Sequence, residues 1–180
     1  NNTTLIENNI ERVKKAGITE IVINVAWLSD KIIDYIGDGV RYGVKINYSI
    51  EGKEPIGTGR GINKVLDYFD NQNFWICNSD IYCDYEINNI DLDNKFLGHL
   101  IMVNNPKHHS SGDFALEGNN VLPKSKNNSF TYSGISYLSP KLFKKYNFAA
   151  LEDILLKATE EMMLVGEYYN GNWTDVGTLD

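Results

Sequence analysis

Residues 20–27 read EIVINVAW, a β-branched, apolar run with almost no polar alternation. A strand with one wet face alternates, so this run predicts a central parallel strand covered by helices on both sides. The flanks agree. Upstream, Leu5, Ile6, Ile10, Val13 and Ala16 share one helical face, with Thr3 or Thr4 as N-cap and Gly17 as the stop. Downstream, Leu28, Ile32, Ile33 and Ile36 repeat at helical spacing, with Ser29 as a cap and GDG at 37–39 closing the segment.

The alternation continues outward. VKINYSI at 44–50 reads as a strand, 58–69 as a helix and FWICNSD at 74–80 as a second buried strand. Strict alternation with short connections predicts an α/β, Rossmann-like, open and mostly parallel sheet, with ligands beyond the carboxyl ends of its strands. After Asp80 the register changes and the sheet becomes mixed. Strands are expected at 99–105 and 130–138, a hairpin turning on GNN at 118–120, and helices over LFKKY and LEDILLKATEEMM.

The chain's 180 residues suit one domain and one sizeable core. Hydrophobic residues make up 42% and charged residues 23%, enough apolar surface to exclude general disorder. The net charge of −7, with no long Lys/Arg block, argues against a nucleic-acid partner. The longest apolar runs fall far short of the roughly 20 residues that span a bilayer. Cys77 and Cys83 form neither a disulfide framework nor a zinc-ligand pair, and no leader-like segment opens the sequence, so a reducing, cytoplasmic setting is expected.

Three constellations can carry chemistry. FWICNSD delivers Asn78, Ser79 and Asp80 to a strand's carboxyl end, where a carboxylate can hold a hard divalent cation against phosphates or simply cap a turn. NWTDVGT at 172–178 sets Asp175 beside Trp173; it is a structural hairpin Asp unless it folds back onto Asp80. EPIGTGRGI at 54–62 opens a helix with Gly57, Gly59 and Gly61, whose backbone can approach a flat or anionic ligand. It fits neither the dinucleotide fingerprint nor the P-loop. His99, His108 and His109 read as loop residues first, with contact to a ligand as the alternative; the adjacent pair points in different directions and cannot chelate one ion. An acyl-transfer nucleophile is not indicated.

In this order, AGITEIVINVAWLSDKI, GDGVRYGVKINYSIEGKEP, TGRGI, NSDIYCDY, HLIMVNNPKHHSSGDFAL, FTYSGISYLSPKLF and GEYYNGNWTDVGT resemble the sugar-1-phosphate nucleotidyltransferases. NNPKHHSSGDFAL points to the branch that uridylylates N-acetylmuramic acid 1-phosphate, a step of peptidoglycan recycling, rather than to mannose-1-phosphate guanylyltransferases. The resemblance implies attack by a sugar-phosphate oxygen on the α-phosphorus of UTP, with Mg²⁺ held by Asp80 and Asp175 and no covalent intermediate. It implies Gly59, Gly61 and Asn78 at the nucleotide, and Ser133, Gly134 and either Glu152 or Asp153 at the sugar.

Three departures accompany it. The family's G-x-G-x-R triphosphate loop and first strand have no counterpart here, which also admits a non-catalytic nucleotide-sugar binding protein. Gly57 and Arg60 stand where Glu and Gly are expected, and NSD replaces NGD.

Overall fold

The computed structural model describes residues 3–52, 56–125 and 128–177. Lys53, Glu54, Pro55 and Thr178, which belong to the quoted motifs, lie outside these residues. The chain begins with α1 (Leu5–Lys15), β1 (Glu20–Val25), α2 (Ser29–Ile36), β2 (Lys45–Ile50) and α3 (Thr58–Lys64). Then come β3 (Phe74–Cys77), β4 (Ile81–Cys83), β5 (Gly98–Val103), β6 (Phe114–Glu117), β7 (Asn120–Pro123) and β8 (Thr131–Leu138). Two helices, α4 (Pro140–Lys145) and α5 (Leu151–Glu160), precede β9 (Leu164–Tyr168) and β10 (Trp173–Asp175).

Local chemistry explains several boundaries. Thr4 and Glu7 close a capping box at the start of α1, satisfying amides that the helix leaves unpaired. Ser29, in contrast, is the first residue of α2; the cap is Leu28 in a left-handed conformation, with no side-chain hydrogen bond. The helix expected over 58–69 breaks after Lys64 and resumes as a 3-10 turn at Leu66–Phe69. The hairpin turning near 118–120 is present, pairing β6 with β7.

The sheet is mixed and open, with strand order β3-β8-β5-β9-β7-β6. Its parallel pairing is β5 with β9, while β3–β8, β5–β8, β6–β7 and β7–β9 are antiparallel. Strand β5 shows why both faces need cover. Leu100 and Met102 pack with α4 and α5 in the main core, whereas Ile101 joins Ile81 and Ile135 on the opposite face. All three β5 side chains are fully buried; each such burial stabilises by about 1.5–3 kcal/mol.

Strand β1 is parallel to β2, as expected, but among the described residues these two form a separate sheet. Only Val25 of β1 is buried, so its apolar run does not make it a fully covered central strand there. The free edges of β1 and β3 instead face one another across an apolar groove of about 770 Å³, bordered by Ile21, Ile23, Trp75 and Ile76.

Candidate active site

Strand β3 ends at Cys77, and the chain turns through Asn78, Ser79 and Asp80 into β4. Two contacts fix Asn78: its amide donates to the Gly134 carbonyl at 2.9 Å, and its carbonyl accepts from the Asn9 side chain at 3.1 Å. Gly134 has φ +82°, and a Cβ there would lie 2.9 Å from Asn78 side-chain atoms. Glycine therefore serves both the backbone conformation and the close approach of β8 to Asn78.

Asp175 arrives from the far end of the chain. Strand β10 runs antiparallel to β4, setting Asp175 opposite Ile81, and the Val176 amide donates to the Asp80 carbonyl at 2.9 Å. The Trp173 indole N–H donates to the Ser133 carbonyl at 2.9 Å and tethers β10 to β8. Gly177 packs beside both carboxylates: a Cβ there would lie 3.2 Å from Asp175 Oδ1 and 3.2 Å from Asp80 Oδ2. Asp175 is therefore a cross-strand partner of the Asp80 turn, not a residue of a local hairpin.

These carboxylates border a cleft of about 280 Å³ that also contains Asn78, Gly134, Trp173 and His108. Asn78 and Asp80 additionally border the larger groove, so they stand where the two cavities meet. The donor chemistry fits magnesium, a hard cation that takes one or two protein carboxylates and keeps waters. Among the described residues no cluster of three or more His, Cys, Asp or Glu offers a fuller cage.

The remaining expected residues divide. Ser133 is among the residues lining the cleft and is fully buried, its hydroxyl accepting from the Ile135 amide at 3.1 Å. Glu152 and Asp153 are exposed in the first turn of α5 and do not line the cleft. Gly59 and Gly61 are buried in α3, away from the carboxylate pair. A Cβ on Gly59 would meet the Phe148 carbonyl at 2.8 Å, and one on Gly61 would meet Asn24 Nδ2 at 2.6 Å. The amides of Gly59 and Arg60 donate to the Ala149 carbonyl and that of Gly61 to the Gly57 carbonyl. These N–H groups are thus engaged, because α3 packs closely on the segment leading into α5.

The histidines diverge as their adjacency requires. His108 Nε2 lies 3.6 Å from Asp175 Oδ2, while His109 Nε2 lies 2.7 Å from Asp113 Oδ1. Asp113 Oδ2 accepts the Tyr132 amide at 2.8 Å. The four-residue offset of His109 and Asp113 was the available signal for this clamp, which residue-type reading missed. His99 sits on β5, 3.9 Å from Glu167, and burial holds its pKa below the usual histidine value.

The chain is similar to known proteins over most of its length. The family model described as "Nucleotidyl transferase" matches residues 1–96. An N-acetylmuramate alpha-1-phosphate uridylyltransferase from Neisseria meningitidis is 35% identical over 97% of this chain and 80% of its own length. A D-glycero-alpha-D-manno-heptose 1-phosphate guanylyltransferase from Campylobacter jejuni is also 35% identical, but over 51% of this chain and 40% of its own length. In structure, a UDP-glucose pyrophosphorylase complexed with UDP-glucose aligns with TM-score 0.72 at 14% identity, covering 97% of this chain and 81% of that one. The inositol-1-phosphate CTP transferase from T. maritima aligns with TM-score 0.71 at 15% identity, covering 96% and 76% respectively. With a family model over more than half its residues and a relative matching nearly its whole length, the chain belongs to the sugar-1-phosphate nucleotidyl transferases.

Proposed function

We propose that this enzyme converts UTP and N-acetylmuramic acid 1-phosphate into the UDP-sugar and pyrophosphate, in the cytoplasm, as a step of peptidoglycan recycling. The observation that carries the chemistry is that Asp80 and Asp175, joined by the Val176–Asp80 backbone hydrogen bond, border one cleft. The choice of base and sugar rests on likeness to a uridylyltransferase over 97% of the chain, against 51% for the guanylyltransferase.

In the reaction, a phosphate oxygen of the sugar 1-phosphate forms a bond to the α-phosphorus of UTP. The bond from that phosphorus to the bridging β-phosphate oxygen breaks, and pyrophosphate carries away the electron pair. Such a transfer requires alignment of two anions and neutralisation of charge, without a protein nucleophile. Asp80 and Asp175 would hold Mg²⁺, which supplies charge compensation between the phosphates when bound. Asn78, fixed by Gly134 and Asn9, would face the nucleotide, and Gly134 would stand on the sugar side.

Pyrophosphate release decides the matter, measured with Mg²⁺, with UTP or GTP, and with N-acetylmuramic acid 1-phosphate or mannose 1-phosphate. Preference for UTP and the muramic substrate is expected. Preference for GTP and mannose 1-phosphate selects the guanylyltransferase, and sugar binding without turnover selects the binding protein.

A further inference from the structure

The small cleft is rich in negative charge. Asp80, Asp113 and Asp175 all line it, and among its described lining residues there is neither Lys nor Arg. Yet the proposed acceptor substrate carries a phosphate that must come close to two of these carboxylates. Among the described lining residues, the groups able to carry a positive charge are His108 and His109. His109 is engaged by Asp113, which is itself pinned by the Tyr132 amide. His108 has no hydrogen-bond partner among the described residues, and its Nε2 stands 3.6 Å from Asp175, within ion-pair range but too far for a hydrogen bond.

The loop holding His108 is built rather than loose. The His109 amide donates to the Pro106 carbonyl at 3.0 Å, and the Gly112 amide to the His109 carbonyl at 3.2 Å. Asn105 binds the carbonyls of Ser110 and Ser129 at 3.2 and 3.1 Å and accepts from the Thr131 hydroxyl at 3.0 Å. Gly112 has φ +59°, and a Cβ there would meet Asn105 Oδ1 at 2.6 Å. These ties, together with the His109–Asp113 clamp, set the His108 ring at the cleft without mobilising the backbone.

We propose that His108 is a specificity residue whose ring N–H donates to the phosphate of the sugar 1-phosphate, distinguishing it from the unphosphorylated sugar. This inference rests on the acceptor proposed above. The phosphate is favoured over an acidic substituent elsewhere on the sugar because His108 lies beside Asp175, at the reacting end of the cleft.

Calorimetry on the full chain tests it, using N-acetylmuramic acid 1-phosphate, N-acetylglucosamine 1-phosphate and free N-acetylmuramic acid, with wild type, His108→Ala and His108→Gln. A lost charge-assisted hydrogen bond should weaken binding of both 1-phosphates by about 10- to 100-fold in His108→Ala. Free N-acetylmuramic acid should bind unchanged, and His108→Gln, which keeps an N–H, should recover part of the loss. In turnover, KM for the sugar phosphate should rise while KM for UTP stays within about threefold, since the ring faces only the acceptor.

Unchanged binding of the 1-phosphates overturns the proposal. So does an equal loss for the free sugar, which would mark a packing defect, or a loss confined to the two muramic ligands, which would assign His108 to the carboxylate. Wild type that releases pyrophosphate while the variant keeps its KM sinks the role of His108 alone. Wild type that neither binds nor converts any of these sugars sinks the acceptor assignment with it.

Discussion

The amide of Val176 donates to the carbonyl of Asp80 across 2.9 Å, locking the end of β10 to the turn after β3. Together with the β10–β4 pairing, that bond puts Asp175 and Asp80 on the border of one cleft. Because backbone pairing, not side-chain flexibility, creates the pair, the two residues should act as a unit.

Asp80→Asn and Asp175→Asn should each lower the rate of pyrophosphate release by at least about 100-fold, by removing fixed charge where it must balance the phosphates. The double variant should cost little more than either single one, because groups acting together are not additive. Melting temperatures should stay close to wild type, since both side chains border an open cleft. Steady-state kinetics and thermal melts check this; additive losses would contradict shared action.

Gly134 can be probed without touching a carboxylate. Gly134→Ala forces a side chain into a left-handed φ and within 2.9 Å of Asn78. A cost of about 1–3 kcal/mol is expected, visible as a drop of roughly 3–10 °C in melting temperature. Turnover should fall as well, because Asn78 must shift.

Neither cysteine should react in the folded protein. Burial pushes the Cys77 thiol up to about 11, and burial also raises Cys83, although a hydrogen bond from the Tyr85 amide opposes it. The nucleophile is the thiolate, so little is present near pH 8. Titration with a chromogenic disulfide should find almost no reactive thiol in native protein and both after denaturation.

The cap of α1 should give a pH signature. The Thr4 amide, the Thr4 hydroxyl and the Tyr42 hydroxyl all donate to Glu7, and its pKa falls from 4.5 to about 2. A pKa depressed in the folded state contributes stability above pH 4.5 that is lost as pH drops toward about 2. Carbon NMR of the Glu7 carboxyl should show the low midpoint, and Glu7→Gln should remove that part of the acid destabilisation. An unshifted midpoint would contradict the capping box.

Local patterns were legible in the sequence because they depend on neighbours. Helical spacing in α1, the β-branched run of β1, the apolar run of β3 and the GNN turn each follow from side chains within a few residues. The pairing of β1 was only half legible. Its apolar run correctly indicated parallel pairing with β2, but the composition of a strand does not say which edge another strand covers. At the Gly-rich turn the Gly59 and Arg60 amides donate to the Ala149 carbonyl, a contact between segments far apart in the chain that no local pattern encodes.

By itself, the amino-acid order determined the helices and strands, the family motifs and the identity of the acidic residues at strand ends. Tertiary structure alone decided that β10 returns to β4, that Asp175 and Asp80 border one cleft, and that His108 lies beside Asp175 there while His109 pairs with Asp113. The physical reason is range. Periodicity and capping act over a turn or two of backbone, whereas these meetings depend on strand pairing and loop ties that no local propensity encodes.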